Sequence, residues 1–182
     1  MKIETADGVV LRSWEPRDAD SLARHANDRE VWLNLRDRFP HPYTVDDARR
    51  WIALCASEPL RSTNLAIDLD GEAVGAVGFD RLLDVHRFTA EIGYWLGRAV
   101  WGRGIATRAL AAATRHAFER HDFERLEAGV FEWNPASARV LEKAGYEREG
   151  RLRRAVVKDG RVGDVIVYAR LREAAPVLAG GR

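Results

Sequence analysis

A strand–turn–strand pattern centred on Asp70-Gly71 constrains the fold of this chain more than any other feature of the sequence. Apolar residues alternate with others over residues 65–69, before the pair, and a second apolar segment, Ala73 to Phe79, follows it. Asp-Gly is a preferred sequence for the two-residue turn between antiparallel strands. Phe88 to Leu96 also alternates, which predicts a third strand and an antiparallel meander.

Helical patterns flank this meander on both sides of the sequence. Their apolar residues recur at the three- to four-residue spacing of a helix with one buried face. The predicted helices are Arg17–Leu35 with a break near Asn27, a segment from the N-cap Thr44 to about Ser57, Arg103–His121, and Pro135–Ala144 between the N-cap Asn134 and the terminator Gly145.

The remaining strands complete an α+β chain. Residues 8–14, Arg125 to Phe131, and two segments between Tyr146 and Leu171 are predicted as strands. The order β-α-α-β-β-β-α-β-α-β-β predicts a mixed, mostly antiparallel sheet of seven strands with helices on both faces. We expect one domain over residues 1–173 and a flexible tail over residues 174–182.

Composition excludes several classes of function. The 182 residues carry a formal charge of +1, which is unlike a general nucleic-acid-binding protein. Cys55 is the only cysteine, and the five histidines lack ligand spacing, so neither a disulfide nor a metal site is expected. No secretory signal or membrane-spanning segment is evident. The sequence predicts a cytoplasmic protein without a membrane partner.

The segment Trp101-Gly-Arg-Gly-Ile-Ala106 lies between a predicted strand and the long helix. Closely spaced glycines allow a tight turn that exposes consecutive N–H groups at a helix N-terminus, where phosphate binds well. Arg98 and Arg103 would add positive charge. A Gly-Lys-Ser/Thr P-loop is absent, and Thr107 replaces the third glycine of a dinucleotide fingerprint. A plain strand-to-helix turn remains the alternative.

Three motifs in sequence order resemble those of the GNAT acetyltransferase superfamily, and more closely its RimJ/RimL-like branch. They are Glu91-Ile-Gly-Tyr-Trp-Leu-Gly97, Trp101-Gly-Arg-Gly-Ile-Ala-Thr107 and Asn134-Pro-Ala-Ser-Ala-Arg-Val-Leu-Glu-Lys-Ala-Gly-Tyr146. The late residues Asp159, Asp164 and Tyr168 also fit that branch. Trp101 departs from the family pattern, in which Gln or Arg is commoner, whereas Gly104 and Ala106 match it.

The resemblance implies a binding site for acetyl-CoA as co-substrate. In the family, the strand ending at 95–97 separates from the strand 126–131 and admits the pantetheine arm, while the glycine loop binds the pyrophosphate. The N–H of Leu96 would bind the thioester oxygen, as in an oxyanion hole. The implied cofactor-binding residues are Trp95, Leu96, Gly97, Gly102, Arg103, Gly104, Ile105, Ala106, Thr107, Asn134 and Ser137.

The resemblance also suggests the catalytic groups. The leaving thiolate would take a proton from Ser137 or from water. Asn134 and Ser137 also suit the first turn of a helix, where Asn134 is an N-cap. Tyr146 matches a core aromatic residue and is a weaker candidate for the acid. Glu91 shares a strand face with Gly93 and Trp95, so it is the candidate base. The alternative roles for Glu91 are a solvent-exposed charge on the strand or a salt-bridge partner.

The predicted reaction is direct acetyl transfer to a primary amine in a ternary complex, without a metal. The acceptor would be a protein N-terminus, such as that of a ribosomal protein, or a small amine. Phe39, His41 and Tyr43 are candidates for the acceptor pocket, and Trp133 could flank the cofactor. The alternative function is a non-catalytic acyl-CoA-binding regulator. A homodimer is compatible with the family.

Overall fold

A single mixed sheet organises the chain. The computed structural model describes residues 1–5, 8–57 and 62–173. The eight strands lie in the order β1-β2-β3-β4-β5-β6-β8-β7. Their bounds are β1 Lys2–Glu4, β2 Val9–Arg12, β3 Ser62–Leu69, β4 Glu72–Arg81, β5 Thr89–Leu96, β6 Arg125–Phe131, β7 Glu147–Lys158 and β8 Arg161–Leu171. The helices are α1 Ala19–Ala26, α2 Arg29–Trp32, α3 Val45–Ser57, α4 Ile105–Arg120 and α5 Pro135–Lys143.

The predicted meander is confirmed. β3 and β4 pair antiparallel, and β5 pairs antiparallel with β4. Asp70 and Gly71, in the turn between β3 and β4, have φ angles of 54° and 89°. Positive φ at both central residues is the requirement of a type I′ hairpin turn, and it explains why an Asp-Gly pair joins these strands.

The prediction of seven strands is wrong, because β1 adds an eighth. This strand has only three residues, two of them exposed, and it pairs antiparallel with β2 at the sheet edge. Three residues are too few to show an alternating pattern, so this strand could not be predicted from periodicity. The predicted tail, 174–182, lies outside the described residues.

The helices pack on both faces of the sheet, as predicted, and β5 contributes side chains to both layers. Ala90, Ile92 and Leu96 join the main core with α4, whereas Trp95 packs against the smaller cluster formed by α1 and α3. This alternation is that of a strand buried on two faces. In the described residues, none of the helices is long and apolar enough to cross a membrane.

The predicted helix break near Asn27 is confirmed. α1 ends at Ala26 and α2 begins at Arg29. The carboxylate of Asp28 accepts a hydrogen bond from the N–H of Glu30 at 2.9 Å, which caps the new helix. The helix is therefore interrupted between α1 and α2, and residues 33–43, which connect α2 to the segment before α3, form turns and bends.

A buried charge network joins β2, β3 and the start of α1. Arg12 is 8% exposed, and its Nε donates to Asp68 Oδ2 at 2.7 Å. Its two terminal nitrogens donate to the carboxylate of Asp18 at 2.6 and 2.8 Å. Burial acts to raise the pKa of Asp18, but hydrogen bonds from Arg12 and from the N–H of Glu15 hold it below its ordinary value.

We expect Arg12→Leu to lower the free energy of unfolding at pH 7 by about 3–5 kcal/mol, because two buried carboxylates lose their partner. A carboxyl whose pKa is depressed in the folded state stabilises the fold above its unfolded pKa of about 3.9, and this contribution is lost as the pH falls through the lower folded value. The difference between the wild type and the variant should therefore shrink below about pH 4. Denaturant titrations at several pH values measure it.

The matched control is Arg49→Leu. Arg49 is also paired with an aspartate, Asp46 at 3.0 Å, but both side chains are about 70% exposed. An exposed pair contributes at most about 1 kcal/mol. Equal losses in the two variants would contradict the role assigned to the buried network.

Candidate active site

β5 and β6 separate in the middle of the sheet. They are parallel neighbours, but their pairing covers only Thr89–Glu91 with Arg125–Glu127. β5 continues to Leu96 and β6 to Phe131, and in the described part of both strands no further pair joins them. The second halves of the two strands therefore leave unpaired backbone groups on either side of a gap.

A cleft of about 1060 Å³ passes through this gap. It reaches from the start of α4, past the gap, to α3 and the segment before it. Eleven of the catalytic and cofactor-binding residues that the family resemblance implies line it: Glu91, Trp95, Leu96, Gly102, Arg103, Gly104, Ile105, Ala106, Thr107, Asn134 and Ser137. The structure thus brings together residues that are up to 46 positions apart in the sequence.

The glycine loop before α4 has the conformation that its sequence predicts. Gly102 and Gly104 have φ angles of 76° and 72°, which favour glycine, and Gly104 is the N-cap of α4. The helix begins at Ile105, two residues later than predicted, because both glycines are left-handed. Its first N–H groups have no partner inside the helix and open into the cleft.

Arg108 is a residue of this loop region that the sequence did not single out. A Cβ placed on Gly104 would lie 3.2 Å from Arg108 Nη1, so the guanidinium is beside the loop. The Nε of Arg108 is buried and has no hydrogen-bond partner among the described residues. The signal in the sequence was its position one helical turn after Gly104.

Trp101 connects the loop to the end of β5. Its indole Nε1 donates to the carbonyl oxygen of Leu96 at 2.8 Å. The N–H of Gly97 donates to the carbonyl of Val74 on β4 at 2.8 Å. Because successive N–H groups of a strand point to opposite edges, the N–H of Leu96 points to the gap.

Two predicted phosphate or cofactor residues lie elsewhere. Gly97 packs beneath His25, where any Cβ would collide with the imidazole ring, and it does not line the cleft. Arg98 Nε donates to Asp28 Oδ2 at 2.8 Å, which directs the guanidinium toward α2. Both residues follow the end of β5 and face the α1–α2 side, so they connect that side to the sheet.

Ser137 contacts a tyrosine across the gap. Its Oγ lies 2.8 Å from Tyr94 Oη, and its carbonyl oxygen accepts from the same hydroxyl at 3.0 Å. Burial raises the pKa of Tyr94 to about 12, so the phenol is protonated at neutral pH. Asn134 Oδ1 accepts from the N–H of Ser137 at 3.0 Å, which confirms the cap. Sequence reasoning missed Tyr94, although it lies within the first motif.

Tyr146, the weaker candidate for the acid, lies outside the cleft. It is 3% exposed, and its hydroxyl lies 2.7 Å from Thr114 Oγ1 inside the main core. Burial raises the pKa of this phenol as well. Tyr146 is a core residue, as its position in the motif suggested.

Acidic residues of β4 and β5 lie where the cleft is lined by α3 and the segment before it, and each has an arginine partner. Glu91 is paired with Arg36, and Asp80 lies 3.8 Å from Arg38. Asp80 and Glu91 are opposite each other in the β4–β5 ladder, so the two arginines offset repulsion between neighbouring carboxylates. Glu91 is thus the salt-bridge partner that the sequence allowed, and it also lines the cleft.

Aromatic residues form the facing wall. Phe39 lies with its ring centroid 4.8 Å from that of Tyr43 and 5.4 Å from that of Trp95. Phe39 and Tyr43 line the cleft, as predicted, whereas His41 stacks on Trp32 outside it.

The cysteine of α3 is poorly suited to act as a nucleophile. Burial raises the pKa of the Cys55 thiol to about 12, and the thiolate is the nucleophilic form.

The end of β7 and the residue Trp133 after β6 contact residues 32–37, which precede Phe39 in the chain. Lys158 is 3% exposed; its Nζ lies 3.7 Å from the centre of the Trp32 ring and 2.8 Å from Asp37 Oδ1. Trp133 does not line the cleft; its Nε1 donates to the carbonyl of Leu33 at 3.3 Å. Residues 32–37 are therefore fixed by contacts with segments more than 90 positions later in the chain.

Comparisons with known proteins agree on one family. Residues 9–147 match the profile of the acetyltransferase (GNAT) domain. The uncharacterized N-acetyltransferase p20 of Bacillus licheniformis is 31% identical over 171 residues, covering 90% of this chain and 93% of the relative.

Solved structures show the same fold. RimJ of Mycobacterium smegmatis, described in complex with CoA-disulfide, has a TM-score of 0.82 and 28% identity over 94% of this chain and 86% of its own. An acetyltransferase from Salmonella typhimurium, described as modifying the N-terminal serine of ribosomal protein L7/L12, has a TM-score of 0.79 and 22% identity, over 95% of this chain and 100% of its own. The described residues contain no group of three or more side chains suited to hold a metal ion.

Proposed function

This chain belongs to the GNAT acetyltransferase family, and from that premise we propose that it transfers an acetyl group from acetyl-CoA to a primary amine. The observation that carries the proposal is the gap between β5 and β6. Its unpaired backbone groups open into a cleft that continues to the glycine loop at one end and to charged and aromatic side chains at the other. One cleft thus has room for two reactants.

The residues at the cofactor end fit coenzyme A. The first amides of α4 and the dipole of that helix favour a diphosphate. Arg108 Nε, buried without a partner, and the exposed Arg103 supply positive charge beside these amides. Unpaired groups along β5 suit the amide-containing pantetheine arm. RimJ of Mycobacterium smegmatis, described in complex with CoA-disulfide, supports coenzyme A as the ligand.

The N–H of Leu96 is the proposed oxyanion donor. Acetyl-CoA supplies an activated thioester carbonyl when bound, and a donor fixed by the sheet stabilises negative charge on its oxygen. The Trp101 indole holds the carbonyl of Leu96, which belongs to the next peptide plane, and so ties the glycine loop to the end of β5 beside this donor.

Ser137 is the proposed proton donor at the leaving sulfur. Tyr94 has one proton, which it can donate to the Ser137 carbonyl oxygen at 3.0 Å or to Ser137 Oγ at 2.8 Å. When it donates to Oγ, the serine proton is free to point into the gap and can pass to the departing thiolate. The proton that the attacking amine loses then restores the serine through solvent in the cleft, so the products are the amide and the free thiol. Tyr94 touches Ser137 and is assigned as a positioning residue.

The acceptor binds at the end that contains Glu91. A carboxylate there attracts an amine and can accept its proton when the Arg36 pair opens. An α-amine, with a pKa near 8, needs less assistance than a lysine side chain, near 10.4. The Salmonella typhimurium enzyme described as modifying an N-terminal serine supports a protein N-terminus as acceptor. A small amine fits the same chemistry.

Calorimetry with coenzyme A and titration of free thiol test the proposal. The chain, incubated with acetyl-CoA and a panel of primary amines, should release stoichiometric coenzyme A with at least one acceptor. The two reactants are held together, so initial-rate kinetics should follow a ternary-complex pattern rather than a ping-pong pattern. Tight binding of coenzyme A with no thiol release from any amine would instead favour a non-catalytic acyl-CoA-binding regulator.

A further inference from the structure

Two glycines flank the gap on its acceptor side. Glu91 on β5 and Glu127 on β6 are the last residues paired across the two strands. Gly93 and Gly129 each lie two positions further, so they share the sheet face of Glu91. Both line the cleft. The strands therefore separate at a point where neither contributes a side chain to the acceptor face.

Backbone conformation does not require glycine at these positions, since neither residue has a positive φ angle. A Cβ on Gly93 would meet nothing within 4 Å, so the space beside it belongs to the cleft. A Cβ on Gly129 would lie 3.0 Å from Val165 Cγ1, so a side chain there also requires a small shift of that valine. Glycine weakens a strand interior, and it is found where a ligand approaches the backbone closely.

An unpaired polar atom lies in the same cleft. Asn34 lines it beside Arg36, and its amide nitrogen donates to the carbonyl of Glu30 at 2.8 Å. Its side-chain oxygen is buried and has no hydrogen-bond partner among the described residues. A buried acceptor is rarely left without a donor, so this oxygen suits an N–H group of a bound molecule.

We propose that Gly93 and Gly129 determine acceptor specificity by admitting an amine on a branched carbon, as in the α-amine of an aminoacyl amide or peptide. This inference rests on the proposed acetyl transfer. The amine must enter the gap to reach the thioester, and the space of the two absent side chains receives the substituent on its α-carbon. Asn34 accepts from the adjacent amide. Side chains at 93 and 129 would leave room only for unbranched amines.

The test compares L-alaninamide with glycinamide, which differ by one methyl group on the carbon that carries the amine. In Gly93→Ala, the ratio of kcat/KM for L-alaninamide to that for glycinamide should fall at least about tenfold, which is the scale of one methyl group in a pocket. Gly129→Ala should change the ratio in the same direction. Coenzyme A affinity, measured separately by calorimetry, should be that of the wild type in both variants.

Gly150→Ala is the matched control. Gly150 lies in β7, outside the cleft, and a Cβ there would also meet nothing within 4 Å. Its selectivity ratio should equal that of the wild type. An unchanged ratio in Gly93→Ala, or equal losses with both acceptors, overturns the inference while acetyl transfer stands. A wild type that acetylates no amine overturns both.

Discussion

Ser137→Ala is expected to lower kcat by about 100-fold or more, the scale of a lost general acid, with little change in coenzyme A affinity. The hydroxyl lies 2.8 Å from Tyr94 Oη, and in the proposed mechanism its proton is needed only as the sulfur departs. An interaction used late in the reaction affects kcat rather than ground-state binding. Thiol release under saturating acetyl-CoA and calorimetry with coenzyme A separate the two quantities.

Tyr94→Phe should lower kcat by about tenfold, and combining it with Ser137→Ala should add almost nothing, because the two hydroxyls act as a unit. Burial keeps the pKa of Tyr94 at about 12, so its effect should be constant between about pH 6 and pH 9. Tyr146→Phe is the matched control: it removes another buried phenol, which is bonded to Thr114. Its kcat should be unchanged.

Additive losses in the double variant would contradict a joint role for Tyr94 and Ser137. So would a fall in coenzyme A affinity that accounts for the whole loss in Ser137→Ala. In that case the serine would serve only the first turn of α5, where its N–H already binds Asn134.

Gly104→Val is expected to weaken coenzyme A binding by about 30- to 150-fold, the equivalent of about 2–3 kcal/mol of backbone strain. The residue has a φ angle of 72°, which valine strongly disfavours, and its Cβ would lie 3.2 Å from Arg108 Nη1. Either the loop changes conformation and its amides no longer converge, or the strain remains and the guanidinium moves. Calorimetry with coenzyme A measures the loss.

Gly71→Val provides the comparison. Gly71 has a similar left-handed φ angle of 89°, in the β3–β4 turn, and a Cβ there would meet nothing within 4 Å. It should destabilise the fold but leave coenzyme A affinity unchanged. If both variants bind coenzyme A equally well, the start of α4 does not hold the diphosphate.

Local signals in the sequence were sufficient for the elements around the site. The β3–β4 hairpin turn depends only on the φ angles of Asp70 and Gly71. The cap of α5 depends only on Asn134 and the N–H of Ser137, three residues later. The resemblance to the GNAT family, based on three motifs, is confirmed by the match over residues 9–147. Each of these motifs is a contiguous segment, so its residues and their spacing can be recognised directly in the sequence.

Contacts between distant segments could not be predicted in the same way. Tyr94 and Ser137 meet only because β5 and α5 lie on either side of the gap, and Arg36 reaches Glu91 from a segment 55 positions earlier. Gly97 follows a strand predicted to bind the cofactor, yet the packing of His25 directs it away. These outcomes depend on the arrangement of layers, which periodicity does not encode.

The contacts of Lys158 with Trp32 and Asp37 bear on how the acceptor preference of this enzyme can change in evolution. Residues 147–171 of the β7–β8 hairpin do not line the cleft, yet Lys158 contacts the segment that precedes Phe39. In the proposed mode of acceptor binding, a substitution at Lys158 should therefore change acceptor preference while coenzyme A binding is kept. Acceptor preference can thus change in evolution without substitutions among the residues at the cofactor end of the cleft.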